Sequence, residues 1–208
     1  MKLAHTSIRR SAGQAVVEFA LVAVVLLMMS YPVFDFFRAI QTSLILINVS
    51  REGANLAART TYTTPQQIMD QLAATTPPLS MEDDGMIYIT KVMGQKRKTG
   101  TIIDNVVVEQ YRWHQGWLQS RYVPAASVWN CGASGSHWGT SGTDAGTCLN
   151  ISSTSRPIAS LAISLADGEL VYVVDVFYRL PSLFGFGASL TRTGFQFLPD
   201  AYSARTIL

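Results

Sequence analysis

Groups able to carry chemistry are scarce in this chain. It has two cysteines and three histidines in 208 residues, and only 14% of its residues are charged. Zinc sites group their ligands in close pairs such as C-x2-C. The only grouping to weigh, Cys131, His137, Asp144 and Cys148, lacks that spacing. A Cys–His nucleophile would need a third, orienting group, and none is identifiable. The chain also lacks a P-loop, a nucleophile elbow and a paired-carboxylate motif. No enzyme activity, metal or cofactor is therefore expected. Basic charge is equally thin on the bulk of the chain. Lys2, Arg9 and Arg10 account for three of the 16 basic residues, so the remainder carries 13 against 14 acidic ones. A nucleic-acid binder would concentrate positive charge on its folded domain. The run Lys96, Arg97, Lys98 reads as a solvated turn.

What is abundant is apolar sequence near the N-terminus. Phe19 to Phe34 contains no charge, and the wider stretch from Gln14 to Phe37 is interrupted only by Glu18 and Asp35. A helix of that length reaches roughly 36 Å, enough to cross a hydrocarbon core of about 30 Å. The basic residues ahead of it should stay cytoplasmic and send the C-terminal bulk outward. Three readings compete for this segment. A secretory signal would end in a small-residue cleavage site, and "SYPVFDFFRAIQ" offers none. A plain anchor leaves the intramembrane Glu18 without a partner, or has it snorkelling to the interface. Cleavage between Gly13 and Gln14, ahead of the apolar run, makes Glu18 the fifth residue of a mature chain. The new α-amino group on Gln14 then offsets the Glu18 carboxylate, within one helix or across to a neighbouring subunit, where it would set axial register.

The residues "GQAVVEF" before an apolar helix resemble the N-terminus of class III signal peptides, which prepilin peptidases cut. "FDFFRAI", "SREGANLAA" and the later "VYVVDVFYRLPSLF" resemble the TadE-like (TadE/TadF) pseudopilins of the tight-adherence, Flp-type pilus system. The likeness is dense over 9–60 and 169–185 and weak between. Gln14 departs from the phenylalanine with which type IV pilins usually begin. The resemblance implies a bacterial inner-membrane, single-pass protein with a periplasmic C-terminal domain. Its implied partners are the prepilin peptidase, other pilin and pseudopilin subunits, and the pilus assembly machinery.

Nothing stops the helix at Phe37, and Gly53 is the only breaker before Thr60. Pro32 should bend it. Gln41, Asn48, Glu52, Asn55 and Arg59 form a narrow polar wedge, so the wider apolar surface should be covered on more than one side. Thr64, Pro65 and Gln67 announce a capped short helix ended by Pro77 and Pro78. Strands are predicted over 85–93, 101–113 and 167–180, the first two joined by a Gly- and Lys-bearing turn, with an edge strand in the tail "PDAYSARTIL". The expected fold is α+β, with an antiparallel sheet on the C-terminal half of one long helix. The expected organisation is a leader over 1–13, a transmembrane assembly helix over 14–37, its continuation over 38–61, and an exported domain over 62–208.

Between the second and third strands lies a Gly-, Ser- and Thr-rich insert holding Cys131 and Cys148. In an oxidising compartment these should form a disulfide closing loop 131–148, worth about 3 kcal/mol in the chain-entropy model. Trp113, Trp117, Trp129 and Trp138 cluster around it. They either pack the loop onto the sheet or, at Trp129 and Trp138, present a surface-binding patch. The latter supports an alternative, an adhesive module whose helix is only an anchor. A further rival is an envelope enzyme using His114 or His137.

Overall fold

The computed structural model describes residues 8–59, 63–97, 101–131, 137–181, 199 and 201–208, with side chains from residue 13 onward. Residues 1–7 of the expected leader, Lys98, and the ends of the predicted motifs at 60–61 and 182–185 lie outside them. Two compact units divide the chain, one with described residues 8–40, the other with 41–181 and the described part of 199–208. Helix α1, Ile8–Arg59, supplies residues to both and runs unbroken through Pro32.

In the first unit α1 is almost wholly exposed. Its most apolar 18-residue window has mean hydropathy 2.2 and buries none of its residues. The helix passes the length and composition test for crossing a membrane. Among the described residues nothing buries this apolar stretch, and an all-round apolar helix suits a lipid or protein environment.

The second unit is α+β. Helix α2 is Pro65–Ala74, α3 is Met81–Asp84 and α4 is His114–Gln119. The strands are β1 (Gly85–Lys96), β2 (Ile103–Arg112), β3 (Leu170–Arg179) and β4 (Ala201–Ile207), ordered β2-β1-β3-β4 and antiparallel throughout. Helix α2 begins as its cap predicts, with Thr64 Oγ1 accepting from Gln67 N and Gln67 Oε1 accepting from Thr64 N. β1 runs further than expected. Gly94, assigned from the sequence to the turn, lies inside it and bonds Glu169 O through its N–H. A β-carbon there would stand 2.1 Å from Ala166 O, so glycine serves close backbone approach rather than a turn.

Both faces of the sheet are covered. On one, the second half of α1 buries Leu46, Val49, Ala54 and Ala57 in a core shared with Leu72 of α2, Ile87 and Ile89 of β1, and Val174 and Val176 of β3. Ser50 Oγ meets Thr206 Oγ1 of β4 at 2.9 Å. The polar wedge of α1 is exposed as predicted, whereas the apolar Leu44 is exposed too. Within this unit the buried seam is narrower than the full apolar surface. On the other face, residues of the β2–β3 insert close a second core, where Val128, Ala159 and Leu165 join Val92, Val107, Val171 and Val173. Burial on both faces is why β3 reads as a nearly continuous apolar run rather than an alternating one.

Candidate functional site

Gly13, Gln14 and Glu18 lie on α1, all exposed. Among the described residues a β-carbon built on Gly13 meets nothing within 4 Å. The four-residue spacing from Gln14 to Glu18 puts them on one helical face. Asp35, the second acid of the apolar stretch, is buried, and its Oδ1 lies 3.7 Å from Arg38 Nη1 one turn on. The stretch thus ends in a charge pair, while Glu18 stands near its start.

Cys131 and Cys148 are bonded, with Cα atoms 5.9 Å apart, and both are buried. The bond uses the thiols that either a metal site or a Cys–His nucleophile would need. The insert containing it is tied to the outer edge of β2. Val107 N bonds Pro157 O, Ala159 N bonds Asn105 O, Arg112 N bonds Gly146 O and Cys148 N bonds Gln110 O, all within 2.9 Å. Sheet edges invite pairing by foreign strands, and here the insert occupies that edge.

One row of the sheet holds an unexpected polar set. In register across four strands stand Arg112, Tyr88, Asp175 and Arg205. Arg205 Nε donates to Asp175 Oδ1 at 2.8 Å. Tyr88 donates its hydroxyl to Pro124 O, and burial pushes its phenol well above the usual range despite the nearby Arg112 cation. Arg112 is buried between two indoles, its guanidinium carbon 3.5 Å from the Trp117 ring centre and 4.7 Å from that of Trp138. Among the described residues its Nε and Nη2 have no hydrogen-bond partner. Burial lowers its pKa from the ordinary guanidinium range to about 10, so it remains a cation at neutral pH. Cation–π attraction from the two rings offsets part of that burial cost.

The tryptophans accordingly pack. Trp113 and Trp138 are buried, and Trp117 and Trp129 are half-buried against the core. Trp138 is only 7% exposed, its ring lying against Tyr88 and Arg112, which suits packing rather than a presented surface. His114 opens α4 with its N–H bonded to Gln66 Oε1, and His137 contributes its carbonyl to Leu149 N. Sequence reasoning missed Gln66. Its Nε2 donates to Arg112 O at 2.8 Å and Ala145 O at 3.0 Å, joining α2 to β2 and the insert. A surface-spaced glutamine in a capped helix carries no signal of that reach.

Residues 13–55 match the family described as TadE-like protein. The match spans the Gly13–Gln14 peptide, Glu18, the Asp35–Arg38 pair and the first buried turns of α1. The family so described is one of tight-adherence (Flp-type) pilus systems and is structural rather than enzymatic. No curated protein and no solved structure matches the chain.

Proposed function

We propose that this chain is a minor pilin or pseudopilin that helps assemble tight-adherence filaments, and thereby supports surface adhesion and biofilm formation. The carrying observation is that the TadE-like match falls on a helix that is apolar, unburied among the described residues and marked by Glu18. Prepilin peptidase cuts after Gly13. The Gln14 amine and the Glu18 carboxylate then pair, and α1 packs beside equivalent helices of pilin or pseudopilin subunits. Such head-to-tail contacts are heterologous and propagate as an open helix. Lys2, Arg9 and Arg10 hold the N-terminus in the cytoplasm, so the α+β unit is periplasmic, where the Cys131–Cys148 bond persists.

The test is intact-mass and N-terminal analysis of the protein from native membranes, with and without the host's prepilin peptidase. A mature chain starting at Gln14 only when the peptidase is present is the expected result. A chain retaining residues 1–13 in both strains sinks the processing route and makes Glu18 an interfacial residue of a plain anchor.

A further inference from the structure

A cleft of about 550 Å³, open to solvent, lies between α2 and α3. Ala73, Leu79 and Met81 supply apolar lining, and the buried Trp113 its floor. Asp70 and Glu82 line it as exposed carboxylates. Asp70 is held in place because its Oδ1 accepts the Trp113 indole N–H at 2.7 Å. Among the described residues no lysine or arginine lines the cleft, and neither carboxylate has an ion-pair partner. Elsewhere in this unit Arg97 pairs with Asp104 and Lys91 with Glu109.

We propose that this cleft docks a lysine- or arginine-bearing extended segment of a partner protein. The aliphatic stem of such a side chain lies along Ala73, Leu79 and Met81 while its cationic head reaches Asp70 and Glu82. Long basic side chains combine those two properties, an apolar stem and a charged tip. The volume exceeds what one alkylammonium group fills, which favours a segment of peptide over a free small amine. The carboxylates supply orientation and selection against acidic partners. This inference does not rest on the filament reading, since a chain that keeps its first thirteen residues presents the same cleft.

The experiment uses the full chain in detergent micelles, with the Trp113 indole N–H followed by NMR. The probe is the peptide acetyl-Ala-Lys-Ala-Lys-Ala-amide, compared with the same peptide carrying norleucine for lysine. The lysine peptide should shift the Trp113 signal saturably and bind at least about fivefold more tightly than the norleucine peptide. Asp70→Asn keeps an oxygen acceptor for the indole, so it preserves the floor while removing charge. It and Glu82→Gln should each weaken lysine-peptide binding about threefold. Equal affinity for the two peptides, indifference to both variants, or no shift at millimolar peptide overturns the proposal. So does saturable binding of spermidine without binding of the peptide, which reassigns the cleft to small polyamines.

Discussion

A β-carbon placed on Gly53 would stand 3.1 Å from Val174 Cγ1, so helix α1 meets strand β3 at the one position of its seam without a side chain. The same carbon would come within 2.7 Å of Leu72 Cδ1 on α2. Leucine can swing its tip away. The β-branched Val174 has little rotamer freedom to yield. Alanine also gains up to about 1 kcal/mol of helix propensity over glycine, which offsets part of the clash. Gly53→Ala should therefore lower stability by about 1 kcal/mol, and Gly53→Val by about 3 kcal/mol. Denaturant unfolding followed by near-UV circular dichroism measures both, and a stabilised alanine variant would refute the tight contact.

That glycine illustrates where sequence reading stopped. The helix, its capped successor, the three internal strands and the tail strand were all legible, because each depends on periodicity or turn chemistry within a dozen residues. Gly53 read as a helix breaker and Gly94 as a turn residue, because a glycine's reason for being small lies in a distant neighbour. Glu18 was legible as a misplaced charge in an apolar run. The row Arg112, Tyr88, Asp175, Arg205 was not, since its members come from four strands whose register no local pattern announces.

Alkaline stability follows from two phenols, Tyr88 buried and Tyr111 half-buried. Burial raises Tyr88, and burial with the adjacent Glu109 raises Tyr111, both above the ordinary 10.0. A folded pKa above the unfolded one contributes stability that is whole below pH 10 and is lost as pH rises beyond it. Arg112 acts oppositely, because its folded pKa of about 10 lies below the ordinary guanidinium value and its burial penalty fades as pH rises between the two. Two phenols against one guanidinium leave a net fall. Unfolding midpoints measured from pH 8 to 12 should decline above pH 10, and Tyr88→Phe should flatten the decline although it costs about 1 kcal/mol at neutral pH.

Gln66 joins three segments through one amide. Gln66→Leu would leave Arg112 O, Ala145 O and His114 N without this partner. Because unmet buried polar groups cost about 1–3 kcal/mol each before solvent relief, a loss of about 2–3 kcal/mol is expected. Gln66→Glu keeps the acceptor for His114 N but sets an anion against two carbonyls, so it should do no better. Equilibrium unfolding of the two variants decides the matter.

The disulfide closes a loop whose cysteines are 17 positions apart. Cys131→Ser paired with Cys148→Ser should cost about 3 kcal/mol. Because Cys148 N and Gly146 O bond β2 directly, the loss should also reach that strand. Hydrogen exchange of the Val107 and Arg112 amides, whose acceptors Pro157 O and Gly146 O belong to the insert, should accelerate more than that of Ile89. Equal acceleration at all three amides would show that the insert is not an independent cover of the edge.

Arg112 is the sharpest case in the unit, a buried cation whose Nε and Nη2 find no acceptor, and which makes no ion pair, among the described residues. Its flat guanidinium fills the slot between Trp117 and Trp138, and a planar, weakly hydrated cation suits that slot in a way an ammonium does not. Arg112→Lys keeps the charge but loses the stacking and buries a strongly hydrated head, so it should cost about 2–3 kcal/mol. Arg112→Met gives up the cation–π attraction while removing the unsatisfied donors, and buried charges replaced by apolar side chains are often tolerated. It should cost about 1 kcal/mol or less. The charge-conserving change is thus expected to be the more harmful one, and thermal unfolding of the two variants measures the order. If lysine proves the milder substitution, the cationic charge rather than the stacked plane is what the site uses.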